Sequence, residues 1–146
     1  MSRYWSPICL LVAASLILGC GGFKPDTGVT VKGKITKGGT PLTVPNMAVK
    51  AGFIKVDLVP VHAGAQDDRV MAPSMQEIDG TFLIVGDGKG VKPGKYKLSV
   101  VTNPGNGQDD LKGKFNGVAS KIEVDISEKN LGGTQDLGTL ELDSYK

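Results

Sequence analysis

The 146-residue chain is poor in the side chains from which most catalytic and metal centres are built. It has one histidine (His62), two cysteines (Cys9 and Cys20) and one tryptophan (Trp5). With both cysteines near the N-terminus and a single histidine, metal sites made of several His or Cys ligands are excluded. A Ser–His–Asp arrangement would have to use His62, which follows Pro60-Val61, precedes an Ala-, Gly- and Asp-rich stretch and has no serine elbow before it. His62 therefore reads as a solvated loop residue. Aromatic residues are 5% of the chain, which leaves little material for a stacking platform. No charge of one sign dominates: 17 Lys and Arg stand against 15 Asp and Glu. Near-neutrality argues against a nucleic-acid partner, which usually shows as a strong basic excess. Past the N-terminus no apolar run is long enough to span a bilayer.

The N-terminus does carry a signal. Met1–Pro7 holds one cation, Arg3, and is followed by an apolar run from Ile8 to Leu18. At about 1.5 Å per residue this run covers about half of a hydrocarbon layer roughly 30 Å thick, so it suits the h-region of an export signal. It ends in Ile17-Leu18-Gly19-Cys20, followed by Gly21-Gly22. This resembles the lipobox of bacterial lipoproteins. The resemblance implies a diacylglyceryl thioether on Cys20, cleavage after Gly19 and acylation of the new amine. The chemistry is consistent: a small residue leaves the scissile bond uncrowded, and Cys supplies a side chain nucleophilic enough to form a thioether. One acyl chain gives marginal membrane affinity and two or three give stable anchoring. Removing residues 1–19 takes away Arg3 and no acid, leaving 127 residues with 16 cations against 15 anions. That is one ordinary domain. Cys9 departs with the signal and Cys20 is consumed by lipid, so no intramolecular disulfide is expected. The short tether Gly21–Gly28 reaches at most about 28 Å, which keeps the domain near the membrane of a bacterial envelope, on its periplasmic or outer surface.

From Val29 to the end the pattern is that of strands. The 21 glycines and 8 prolines fit many short segments joined by tight turns. Val29, Val31 and Ile35 alternate with Thr30, Lys32, Lys34 and Thr36, with Gly33 on the apolar side. After Lys37-Gly38-Gly39-Thr40-Pro41 turns the chain, Ile54, Val56 and Leu58 define a second strand that Pro60 ends. Arg69–Ile78 is a weaker third strand whose Pro73 suits an edge. Asp79-Gly80 is a two-residue hairpin signal leading into Thr81–Val85, where Phe82 and Ile84 share a face. Val91-Lys92-Pro93-Gly94 launches Lys95–Val101, and Asn103–Gly107 is an open loop. Ile122, Val124 and Ile126 alternate with Lys121, Glu123, Asp125 and Ser127. In the last strand, Gln135–Leu142, Leu137 is out of phase with Leu140 and Leu142, which places a bulge at Gly138. A brief helical turn fits Gln108–Gly113, but no window carries a 3.6-residue stripe and no segment repeats. Seven short strands predict an all-β, antiparallel β-sandwich.

Several of these features occur together in a known order. Val31-Lys32-Gly33-Lys34-Ile35, Pro41-Leu42, Val56-Asp57-Leu58-Val59-Pro60, Asp79-Gly80-Thr81-Phe82 and Val91-Lys92-Pro93-Gly94-Lys95-Tyr96 resemble the carboxypeptidase-regulatory-like domain. The resemblance covers about Val29 to Val101; Thr43–Phe53 departs from the pattern as an insertion before the second strand. It implies a seven-stranded Greek-key sandwich of the transthyretin-like (prealbumin-like) kind over residues 29–146, and no reaction. The segments Leu111, Lys114-Phe115 and Ser120–Val124 are similar to the tail of small bacterial lipoproteins with this domain. The marks Asp79, Gly80, Phe82, Pro93, Gly94 and Tyr96 have local reasons. Gly80 supplies a positive φ in a primed turn, Pro93 presets φ, and Gly94 allows the reversal. Tyr96 can bury its ring while its hydroxyl reaches a backbone partner.

The remaining motifs carry little chemistry. Gly28 to Gly33-Lys34 has P-loop spacing, but Ile35 stands where Ser or Thr is required and the segment alternates as a strand. Gly86-Asp87-Gly88-Lys89-Gly90 reads as a flexible loop with the same weakness. Asp67-Asp68 and Asp109-Asp110 are the paired carboxylates; they lack the spacing of a calcium loop and read as solvated acids, with calcium the minor alternative and no other cofactor expected. Lys89, Lys92, Lys95 and Lys97 read as a solvated face with weak attraction for anionic lipid or polymer. The expected function is non-catalytic, structural or recognition work at the membrane surface, with an envelope protein or polysaccharide as partner. The alternative is a carbohydrate-binding module or the accessory domain of an envelope enzyme.

Overall fold

Alternating β-branched residues, cut into short runs by glycine and proline, give eight strands in two sheets among the described residues. The structure is a computed structural model that describes residues 27–49, 51–61, 70–71 and 78–145. The first sheet is centred on β1 (Thr30–Lys37). One edge of β1 pairs antiparallel with the two-residue β2 (Thr40–Pro41) and with β5 (Thr81–Ile84); the other pairs parallel with β8 (Thr134–Glu141). The second sheet is antiparallel throughout, in the order β4 (Val70–Met71), β3 (Phe53–Pro60), β6 (Gly94–Asn103), β7 (Glu123–Ile126).

The sheets share one core. Val31, Ile35 and Ile84 of the first and Val56, Leu58, Leu98 and Val100 of the second are fully buried, with Phe82, Phe115, Ile122, Leu140 and Leu142 packed among them. Each such side chain contributes about 1.5–3 kcal/mol relative to leaving it in water, which is how this domain is held without a disulfide. Among the described residues there is no α-helix, only 3-10 turns, and no helix long and apolar enough to cross a membrane.

The all-β reading holds, and three expectations are corrected. The first sheet is mixed, because β1 and β8 run parallel where antiparallel pairing was expected. Side-chain alternation is identical in both directions, and parallel partners need a long connection between them, here the whole second sheet. Second, Asp79-Gly80 does not join a hairpin, since β4 belongs to the second sheet and β5 to the first. The turn delivers the chain into β5: Asp79 Oδ1 accepts from Thr81 N at 3.0 Å and Thr81 Oγ1 at 2.7 Å, and Gly80 O accepts from Ile35 N at 2.8 Å. Of the expected strand Arg69–Ile78, only Val70–Met71 is a strand among the described residues; Pro73 and Met75 lie outside them. Third, β2 is an added strand, closing the Gly38-Gly39 turn. The bulge is where the pattern puts it. Lys32 faces Asp136 and Lys34 faces Thr139, so β8 carries one extra residue, and Gly138 takes φ 69° beside it.

The strand directions define two ends. At the end where the chain enters from residue 27 lie the 85–93 turn and the 127–133 loop. At the opposite end lie Gly38-Gly39, the 42–52 loop, Asp79-Gly80 and the 103–109 loop. Asn46 Nδ2 donates to Pro104 O at 3.1 Å and ties two of these together.

Candidate functional site

The six marks do not converge on one place. Asp79 and Gly80 sit at the far end, and hydrogen bonds from Thr81, with lesser help from Lys34, hold the Asp79 carboxyl below its usual value. Phe82 faces Gly33 across the β1–β5 pair, and a Cβ on Gly33 would lie 2.7 Å from the ring. The glycine thus leaves room for the ring to lie over its strand. Pro93, Gly94 and Tyr96 sit at the end where the chain enters from residue 27. Tyr96 buries its ring and donates from its hydroxyl to Lys92 O at 2.7 Å, the corner expected of it; burial raises its pKa. These are turn and packing roles.

The sheet faces turned away from the core offer two surfaces. On the first sheet an open groove of about 440 Å³ is lined by Lys32, Lys34, Thr81, Leu83, Asp136 and Thr139 among others. Lys32 Nζ lies 3.3 Å from Asp136 Oδ2, both half exposed, and a hydrogen bond from Gly138 N together with Lys32 lowers the Asp136 pKa. Phe82 is buried beneath the groove, so no aromatic face is presented there. The groove offers two lysines, an apolar side chain and the Thr81 hydroxyl, which donates to Asp79 Oδ1 at 2.7 Å.

On the second sheet the corresponding face is covered. Asp57 and Ser99, opposite each other on β3 and β6, are 2% and 1% exposed. The 116–122 segment lies over them: Gly117 N donates to Ser99 Oγ at 2.8 Å, and Ser120 Oγ donates to Leu98 O at 2.6 Å. Lys55 Nζ pairs with Asp57 Oδ2 at 3.0 Å, while Asp57 Oδ1 is buried without a hydrogen-bond partner among the described residues. Asp57 reads in sequence as an outward polar residue of a one-sided strand. The signal against that reading is Val59, an apolar residue on the same face as Asp57 and next to Leu58, which points to a strand buried on both faces there.

Asp109 is a second residue whose part the sequence hides. Its Oδ1 accepts from Thr102 N at 2.9 Å, Thr102 Oγ1 at 2.8 Å and Leu111 N at 3.1 Å, and its Oδ2 from Gly113 N at 2.8 Å. Burial pushes its pKa up, but these bonds outweigh that and leave it lowered. Asp109 is therefore a staple for the 108–115 turns and not a solvated acid; in place of the expected helical turn the segment forms hydrogen-bonded turns, with Lys112 N bonded to Asp109 O at 2.8 Å and Lys112 at φ 54°. Glu141 does similar work at the far end, accepting from Gly38 N and Gly39 N at 2.9 Å each, and its pKa is lowered by those bonds.

Cys20, His62 and Asp67-Asp68 lie outside the described residues. Among the described residues no three His, Cys, Asp or Glu side chains gather where a metal ion could sit. Gly86–Gly90 is a hydrogen-bonded turn, with Gly88 N and Gly90 N both on Val85 O at 3.0 Å, and not an open loop. Of the described aromatic side chains, Phe53, 47% exposed, presents the most surface, while Phe82, Tyr96 and Phe115 are buried. Compared with family models, curated proteins and solved structures, the chain matches none.

Proposed function

We propose that the protein is a lipid-anchored component of a bacterial cell envelope, held by acylated Cys20 and facing the periplasm or the cell surface. Its domain is a non-catalytic sandwich of the Greek-key, carboxypeptidase-regulatory-like kind, with structural or recognition work at the membrane and an envelope protein or polysaccharide as partner. The single observation that carries this reading is Ile17-Leu18-Gly19-Cys20 behind an eleven-residue apolar run, a few residues ahead of the first strand. The non-catalytic reading is supported by the turn and packing roles of the family marks. Carbohydrate binding is the weaker reading, because Phe53 alone among the described aromatics is well exposed.

Intact-mass measurement of the native protein tests the anchor. The expected species begins at Cys20 and carries diacylglyceryl and amide-linked acyl mass. A chain that begins at Met1 without fatty acid overturns the proposal. Crosslinking in intact envelopes then identifies the partner. A glycan array is expected to give no micromolar binder; one that depends on Phe53 would favour the carbohydrate reading.

A further inference from the structure

The chain enters the domain at a pinned point. Gly28 N donates to Lys89 O, and Gly28 O accepts from Gly132 N at 3.0 Å. Val29 and Val91 exchange two bonds of 2.8 Å, and Thr30 N donates to Gly133 O at 2.9 Å. A Cβ on Gly28 would lie 2.4 Å from the Gly90 carbonyl carbon, and one on Gly90, which takes φ 82°, 2.4 Å from that of Gly28. Two glycines are needed for backbone to cross backbone here. Residue 28 is thereby fixed between the 85–93 turn and the 127–133 loop.

This end of the domain has the makings of a foot. Leu131 is 52% exposed at the tip of the 127–133 loop. Lys89, Lys92 and Lys129 are exposed around it and make no ion pair among the described residues; Asp87, Asp125 and Glu128 are the exposed acids at this end. The seven residues from Cys20 to Asp26 reach at most about 25 Å. The ten-residue β6 runs roughly 33 Å from this end to the other. An anchor at Cys20 would keep residue 27 within about 25 Å of the bilayer surface, less than the length of β6.

We infer that the tether end, formed by the 85–93 turn and the 127–133 loop, docks on the lipid surface, with Leu131 in the headgroup layer and Lys89, Lys92 and Lys129 on lipid phosphates. The far end, with the 42–52 and 103–109 loops, is then the end presented to a partner. The inference rests on the lipid anchor proposed above and adds an orientation to it. An apolar side chain ringed by lysines matches an interface that is apolar below and carries phosphate above.

The test uses the full chain purified with its lipid and reconstituted into vesicles of phosphatidylethanolamine and phosphatidylglycerol. A fluorophore is placed on Glu128→Cys at the foot, on Asn106→Cys at the far end or on Val118→Cys at the side, and quenched by spin-labelled lipid. Quenching several-fold stronger at 128 than at 106 and 118 is expected, and adding Leu131→Ser should reduce it. Equal quenching at the three sites, or the strongest at 106 or 118, overturns the docking even when the mass of the same sample shows acylated Cys20. A sample without acyl mass overturns the anchor and the docking with it.

Discussion

The outward faces of the two sheets were built to different rules. On the first sheet that face is open: Lys32, Leu83, Asp136 and Thr139 stand in water, and the alternation of β1 is the ordinary one of a half-buried strand. On the second sheet the 116–122 segment covers Asp57 and Ser99, so β3 and β6 are buried on both sides at that point. Polar groups on an open face can use water; those on a covered face must find partners within the protein. The covered face is accordingly where the side chain-to-backbone bonds of Ser99 and Ser120 lie.

The sharpest way to break this difference is to loosen the cover. Phe115→Ala removes a ring that is 4% exposed and should cost about 3 kcal/mol in urea denaturation, with faster amide exchange over 110–122. Next in size is the ion pair under the cover. Lys55→Met leaves the Asp57 carboxylate buried without its cation and should cost about 2 kcal/mol, less than a fully enclosed pair because Lys55 is 40% exposed. Replacing both together, Lys55→Met with Asp57→Leu, should recover most of that loss, since no charge is then left stranded.

A smaller effect, about 1–2 kcal/mol at neutral pH, is expected for Asp109→Ala, which frees the turn donors and the Thr102 hydroxyl. Its pH dependence has a definite sign. The folded pKa lies below the ordinary 3.8, so the unfolded chain binds the proton first as the solution is acidified. The contribution of Asp109 is therefore complete above the unfolded value and lost as pH falls through the folded one. Acid titrations of stability should be shallower for Asp109→Asn than for the native chain. The smallest effect belongs to the open face. Lys32→Ala breaks the exposed pair with Asp136 and should leave the urea midpoint unmoved within error, since exposed pairs contribute little.

Much of the fold was legible because it depends on neighbours along the chain. The strands of β1, β3, β6, β7 and β8 follow the alternation, and the phase slip between Leu137 and Leu140 marked the bulge that Gly138 occupies. Tyr96 closes on Lys92 O, four residues before it, as a local corner can. The Asp79-Gly80 turn was legible as a turn but not as a crossing between sheets, because two residues set a reversal and not the partner of the next strand. Asp57 and Asp109 were misjudged for the same reason: whether a carboxylate meets water or a folded loop is decided by chain distant from it or by the path of the loop.

The sequence by itself determined the strand positions, the bulge and the turns, since period-two side-chain placement and glycine or proline backbone limits act within a few residues. Tertiary structure alone decided the parallel β1–β8 pair, the cover over Asp57, and the fixing of Gly28 against Gly90 and Gly132 at one end. These need groups far apart in sequence to meet, and an alternating pattern states which side of a strand is buried without stating what buries it.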